Sequence, residues 1–364
     1  MTPQDRSPSP PALATVVGPV YFDLVFSGFS ATPVPGHEVR ANGLASSPGG
    51  VANVAVALSR LGIQVALLSA FAMDAFGQYL WASLEQEGVD LSFSYKCPAW
   101  STPVTVSLSY GLDRSLVTHE VPPPVTQDAL LEAASGSHFV IVGLEECSMR
   151  QLRSLREEGA IVVADVCWDA TGHWASDVVA KLAAVDLFLP NAMEAMAYTG
   201  TSSPEAALAI LSEHSAGTVV VKDGAHGAIA SDGGETASAP AITVRAVDPT
   251  GAGDVFDAAF IYGTFAGWSL VERLRAANLC AGLSVQRTGG ALAAPCWDEV
   301  RTYCTTQPTS EWSFLHPTFN QQKSGSPCTR AFPTFSLPEK GSSKYAASAQ
   351  SQPIIGRSPE EAPR

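Results

Sequence analysis

Six short runs of this sequence are apolar at nearly every position, and several are followed by a stretch whose apolar residues recur at helical spacing. The runs are 14–17, 65–70, 139–144, 161–166, 186–189 and 218–221. A strand with one wet face alternates apolar and polar residues, whereas a run without alternation is covered on both faces. Helical patterns at 51–61, 149–158 and 204–214 lie between such runs. In the first, Val51, Val54, Ala55, Leu58 and Leu61 share a face before Gly62 stops the helix. This alternation predicts an α/β fold with three αβα layers and a mostly parallel central sheet. Ligands bind such sheets beyond the carboxyl ends of the strands, so the loops there are where chemistry is expected.

Two segments break the rhythm. Residues 21–47 and 91–121 hold short β-rich stretches such as "STPVTVSLSY", with polar alternation and no helix directly behind them. They predict a small β-flap, or lid, which would exclude water from a reaction. Exposed flap edges pair readily between subunits, so a homodimer through the lid is one expectation. Residues 1–11 are rich in Pro and Ser, and 305–364 in Ser, Pro and Gln without periodicity. Both are expected to be disordered, flanking one domain at 12–304. Within the tail, Trp312, Phe314, Phe319, Phe332 and Phe335 are the side chains equipped to dock.

Charge narrows the partners. Charged residues make up 15% of the chain and the formal net charge is −14. Such a chain repels nucleic-acid backbones and anionic lipid, so a phosphate ligand would need backbone N–H groups or a metal ion. The seven Cys are scattered, with no CxxC pair and no zinc spacing, which predicts reduced thiols. With neither a signal layout nor an apolar run of membrane-spanning length, a cytoplasmic protein is expected.

The stretch "VDPTGAGDVF" (247–256) lies between a strand-like run (241–247) and a helix-like run (255–265). Gly251, Ala252 and Gly253 at a helix start present amides with no bulky side chain before them, an anion cradle reinforced by the helix dipole. Asp254 in the first turn is placed to take a proton from a hydroxyl while the cradle holds developing negative charge. The same residues also read as an ordinary strand–helix turn with Asp254 as a capping acid. The chain contains neither a GK[ST] loop nor a full GxGxxG.

"DPTGAGDVFDAAF" resembles the C-terminal signature of the ribokinase-like (PfkB) carbohydrate kinase family, and other motifs follow in that family's order. "SPGGVANVAVALSRLG" (47–62) resembles its N-terminal signature, with Gly49 and Gly50 allowing close approach to backbone and Asn53 offering a donor and an acceptor. "VVGPVYFDLV" and "PVPGHEV" resemble the first strand and the flap entry, which makes Asp23 a candidate for binding sugar hydroxyls. "VGLEE" places Glu145 where one branch of the family contacts sugar. "PNAMEA" matches an Asn-x-x-Glu element, and Asn191 with Glu194 reads equally as an N-cap box or as holders of the water shell of Mg²⁺. "VVVKDGAHGAIA" resembles the segment that lines the nucleotide; Gly224 and Gly227 fit it, and Lys222 stands where Thr is commoner. Asn278 falls near the adenine in the same comparison. Asp248 opens the segment that forms a monovalent cation site, with K⁺ the expected ion, and Gly289-Gly290 lies near it. "ADVCWDATGHW" departs from the Asp-x-Asn-x-Arg of many sugar kinases: Asp165 is kept, but the Arg is absent, which speaks against an acidic or phosphorylated acceptor.

The resemblance covers about residues 12–303. It implies ATP- and Mg²⁺-dependent phosphorylation of a hydroxyl, expected to be primary, on a neutral sugar. Asp254 would be the base, with Gly251, Ala252 and Gly253 as the anion hole. A nucleoside acceptor, or a non-catalytic sugar- or nucleotide-binding regulator, are the alternatives. The cations near the flap are few (Arg40, Arg60, Lys96 and Arg114), which speaks against a phosphorylated acceptor.

Overall fold

A computed structural model describes residues 12–321 except 111–112, 168, 170, 175–176 and 308–309. The expectations for 1–11 and for the tail beyond 321 lie outside the described residues. The chain begins with β1 (Ala14–Val17), β2 (Val20–Phe29), β3 (Ala41–Gly50), α1 (Ala52–Arg60), β4 (Val65–Leu68), β5 (Ala70–Ala72), α2 (Ala75–Gln86) and β6 (Tyr95–Cys97). There follow β7 (Val104–Tyr110), β8 (Asp113–His119), α3 (Gln127–Glu132), β9 (Phe139–Gly143), α4 (Met149–Glu157), β10 (Ile161–Asp165), α5 (Asp177–Lys181) and β11 (Leu187–Phe188). The last part holds α6 (Ala192–Thr199), α7 (Pro204–His214), β12 (Thr218–Lys222), β13 (Ala228–Asp232), β14 (Glu235–Ala239), α8 (Ala252–Phe265), α9 (Leu270–Ser284), α10 (Trp297–Thr306) and α11 (His316–Gln321).

The main sheet has eight strands in the order β14-β13-β12-β11-β10-β9-β1-β4. Pairing is parallel from β4 through β12 and antiparallel at β13 and β14. Both faces are covered, as the unbroken apolar runs require. Val140, Val142, Val162, Ala164, Val219 and Val221 join residues of α3, α4, α5 and α7 in one buried cluster. Their alternates Phe139, Ile141, Val163 and Val220 are also buried, and on the far side α8 packs against α1 and α9. A fully buried Leu or Phe contributes about 1.5–3 kcal/mol, so these two layers supply the main stabilisation.

The flap is a second sheet of four strands in the order β3-β2-β7-β8. Its two long strands pair from Val20↔Gly50 to Phe29↔Ala41, so the Gly-Gly pair closes the sheet beside the end of β1. Asp74 anchors the flap to the body. It caps α2 through the Gly77 amide (2.8 Å) and accepts from the Thr102 amide (2.9 Å) and hydroxyl (2.6 Å).

Three expectations fail here. Residues 241–247 form no strand, because Pro240 ends β14 and the chain then crosses α9. There Ile242 lies against Gly282, and the Val247 and Asp248 amides both donate to the Val285 carbonyl (2.7 and 3.1 Å). The expected disorder does not begin at 305, since α10 runs past it and residues 310–321 are helical. Trp312 (6% exposed) and Leu315 (0%) are buried, with Phe314 edge-on to Trp268 and Phe319 edge-on to Trp297. Three of the aromatic residues named for the tail thus find partners, which only the folded chain supplies. Finally, Cys296 is disulfide-bonded, whereas Cys97, Cys147, Cys167, Cys280 and Cys304 are free.

Candidate active site

Helix α8 begins at Gly251, whose φ of 75° lies in the left-handed region, and no side chain caps its N-terminus. The reason is local. A Cβ on Gly251 would sit 3.2 Å from Asn53 Oδ1, and Gly253 has ordinary room, 3.5 Å from Lys222 Nζ. The Ala252 amide turns back to the Pro249 carbonyl (3.2 Å), which corrects the expectation that it serves the cradle. Gly251 and Gly253 supply the remaining glycine amides there. Gly253 is exposed and Asp254 half-buried.

The acceptor candidates meet on the flap side. A Cβ on Gly49 would fall 2.1 Å from Asp23 Oδ2, and one on Gly50 would fall 2.7 Å from the Tyr21 ring. Asp23 and Tyr21 are two apart on β2 and so share a face, each over one of the two glycines. Asn53 Oδ1 and Ser47 Oγ are buried without a hydrogen-bond partner, and both face Gly290. Orphaned polar atoms of this kind mark a place where a ligand hydroxyl would complete the bonding.

Beyond β9 and β10 the carboxylates gather. Glu145 Oε1 accepts from the Cys167 amide (2.6 Å) and the Tyr198 hydroxyl (3.3 Å). Desolvation in the cleft pushes its carboxyl up despite those donors. Asp165 accepts from the Val166 amide (2.8 Å) and from Lys222 Nζ (2.9 Å). Lys222 also donates to Asp257 Oδ1 (2.9 Å) and Oδ2 (3.0 Å). Burial alone would discharge the lysine, but two carboxylates hold its pKa above the ordinary value, so the ammonium stays charged. The expected nucleotide contact is therefore replaced by a buried ion pair under the cradle. Sequence reasoning missed Asp257, although an acid inside the apolar run "VFDAAFIY" was a usable signal.

Asn191 and Glu194 form the N-cap box: the Glu194 amide donates to Asn191 Oδ1 (2.9 Å), and the Asn191 amide donates to Glu194 Oε2 (3.0 Å). Burial, with Asp165 adding to it, pushes the Glu194 carboxyl up to about 7. Asp248 is 1% exposed and accepts from the Thr250 (3.0 Å) and Gly289 (3.3 Å) amides, tying the cradle to the loop before Gly290. Gly227 is required by its φ of 101° and by the Ala239 carbonyl 2.1 Å from where a Cβ would stand; Gly224 opens the turn before it. Asn278 is buried and donates to the Ala239 carbonyl (3.0 Å), so its amide braces β14 rather than facing open space.

Among the described residues no helix is long and apolar enough to cross a membrane, and no three His, Cys, Asp or Glu converge to hold a metal ion directly.

Comparison with known proteins bears on the family and the fold. The model of the pfkB family carbohydrate kinases matches residues 14–296. A ribokinase of Lactococcus lactis is 28% identical over 295 residues, covering 79% of this chain and 95% of the relative. An aminoimidazole riboside kinase of Salmonella typhimurium is 25% identical over 300 residues, covering 75% and 92%. A structure from E. coli, described as a putative ribokinase II in complex with ATP and Mg²⁺, superposes with a TM-score of 0.69 at 21% identity, covering 81% of this chain and 99% of that one.

Proposed function

Because the chain belongs to the pfkB family of carbohydrate kinases, we propose that it transfers the γ-phosphoryl of ATP to a primary hydroxyl of a neutral sugar or sugar-bearing acceptor. The observation that carries this reading is the half-buried Asp254 in the first turn of α8, whose N-terminus no side chain caps, with the unpartnered Asn53 Oδ1 against Gly251.

Asp23, the Gly49-Gly50 backbone, Asn53 and Glu145 orient the acceptor. Asp254 takes the proton of its hydroxyl as the new P–O bond forms. The Gly251 and Gly253 amides, with the positive end of α8, stabilise charge on the moving phosphoryl. Transfer of this kind depends on positioning and electrostatics more than on covalent chemistry.

The donor set suits Mg²⁺. Glu194 is a buried carboxylate close to Asp165 and Glu145, a surplus of negative charge that a divalent cation relieves. Without three convergent ligands among the described residues, the ion would be held through waters and phosphates. Asn191 and Glu194 would hold that water shell, and the bound ion supplies neutralising charge to the triphosphate. Gly224 and Gly227 shape the turn beside which the nucleotide lies. Asp248 is the K⁺ candidate, through the loop it ties down. A homodimer through the flap and a cytoplasmic location complete the reading.

A neutral acceptor is supported by where the nearby cations go. Arg60 is bound to Glu87 (2.9 Å) and to the Leu292 and Ala294 carbonyls (3.0 and 2.6 Å). Lys96 lies over the Trp81 ring (3.8 Å), and Arg40 is an exposed partner of Glu38 (4.0 Å). ADP formation across a panel of pentoses, hexoses and nucleosides tests the reading. Asp254→Asn is expected to lose at least about 10²–10⁴-fold in turnover while keeping ATP affinity, and undiminished turnover would refute the assignment.

A further inference from the structure

Lys222, the last residue of β12, joins three parts of the proposed site. Its backbone amide donates to the Pro190 carbonyl (3.0 Å), and the residue forms a β-bridge with Asn191, which caps α6 in the box with Glu194. Its ammonium reaches Asp165 at the end of β10 (2.9 Å) and Asp257 on α8 (2.9 and 3.0 Å). A shorter side chain at 222 would meet neither acid.

The ion pair bears on the tip of α8 through the pitch of the helix. Asp257 lies four residues beyond Gly253 and three beyond Asp254, so it shares a side of the helix with both. Lys222 Nζ lies 3.5 Å from where a Cβ on Gly253 would stand, so the ammonium spans that turn. Burial pushes the Asp257 carboxyl up, Lys222 opposes that, and Asp165 and Asp254 add repulsion, which puts Asp254 within electrostatic reach of the pair. Around Asp257 the buried residues of α8 are apolar: Val255, Phe256, Ala258, Ala259 and Phe260 are at most 3% exposed. Apolar burial is non-directional, whereas charge-assisted hydrogen bonds set distance and angle. No side chain caps the tip, so the pair is a directional tie from the first turn to the sheet.

We infer that Lys222 is a positioning residue for phosphoryl transfer: by clamping Asp257 to the ends of β10 and β12, it holds the first turn of α8, with the Gly253 amide and Asp254, at a fixed place relative to Asn191 and Glu194. The role in transfer rests on the kinase reading, whereas the clamp itself is measurable without turnover.

Hydrogen–deuterium exchange of the full chain reads the clamp. The probe is the peptide holding the amides of residues 255–258, where bonding within α8 begins with Val255 donating to the Gly251 carbonyl (2.9 Å). Two variants are compared with wild type: Lys222→Met, measured well below its lowered midpoint, and Lys222→Met/Asp257→Leu, in which the stranded charge is gone. Both are expected to speed exchange in that peptide at least about tenfold relative to peptides of α4 and α7. Asp257→Asn keeps an oxygen that accepts from the ammonium and is expected to retain the protection. ADP formation from MgATP with the sugars of the panel is expected to follow the same order. The double variant loses about 10–10²-fold in kcat despite its recovered midpoint, with the acceptor KM unchanged, and Asp257→Asn loses little. If wild type turns over no sugar of the panel, the kinase reading falls and the exchange result still decides the clamp. The positioning role is overturned by α8 exchange within about twofold of wild type in both Lys222 variants, by faster exchange spread evenly over the chain, by full turnover in the double variant, or by an Asp257→Asn variant as impaired as the double one.

Discussion

Replacing Lys222 by Met isolates the least expected feature of the site. The ammonium is buried and bridges two carboxylates, Asp257 (4% exposed) at 2.9 Å and Asp165 (33%) at 2.9 Å. Asp165 is wet enough that its share is that of a surface pair, about 0–1 kcal/mol. Asp257 has no such outlet, and leaving a buried charge unpaired costs about 3–5 kcal/mol. For a domain of this size each kcal/mol lowers the midpoint by about 2–4 °C, so a fall of roughly 6–20 °C is expected. Adding Asp257→Leu removes the stranded charge, and the double variant is expected to regain most of that loss. The sign of the pH effect follows from the same acid. Once the lysine is gone, burial holds the folded-state pKa of Asp257 above its unfolded value, so both states are protonated in strong acid and no penalty exists there. The penalty grows as pH rises toward the folded-state pKa, so the deficit is larger at pH 8 than at pH 5. Thermal melts of wild type, both single variants and the double variant, at the two pH values, measure all of this. A Lys222→Met midpoint within about 2 °C of wild type, or strictly additive changes in the double variant, would refute the ion-pair argument.

Other sites give narrower expectations. Gly49→Ala puts a methyl 2.1–2.4 Å from the Asp23 carboxyl, so the acceptor KM should rise at least about tenfold, a shift of about 1.4 kcal/mol, with the KM for ATP unchanged; parallel changes in both would argue that the whole site has moved. Asp74→Ala removes three hydrogen bonds and is expected to cost about 2 kcal/mol at pH 7. Those donors hold the Asp74 carboxyl below its usual range, so its contribution is full above the unfolded-state pKa and lost as pH falls through the folded one. Urea melts at pH 7 and pH 3 should show the gap between wild type and variant closing in acid. Ending the chain after residue 309 uncovers the surface that Trp312 and Leu315 bury; a loss of about 3–5 kcal/mol is expected for the Trp alone, and an unchanged melt would mean that the segment is decorative.

The layered sheet was readable along the chain because a strand with two covered faces has nowhere to place a polar residue. Six runs obeyed that rule, and α7 was delimited by Pro204 at its start and His214 at its end. The tip of α8 was readable for a related reason: Gly251 takes the left-handed conformation that favours glycine, and Asp254 follows in the first turn. What one dimension withheld were partnerships. Lys222 and Asp257 are 35 residues apart, and neither position shows which carboxylate the ammonium will meet. Asn278 carries an amide suited to a ligand, but packing turns it to Ala239. Trp312 lies in a low-complexity stretch, and its burial depends on surfaces built by α9 and α10. Local pattern determined which residues could form strands, caps and cradles, since those rules act within a few bonds. Which charged and aromatic groups are satisfied by one another, and which stay open for a ligand, was decided by burial, which exists only once the layers close.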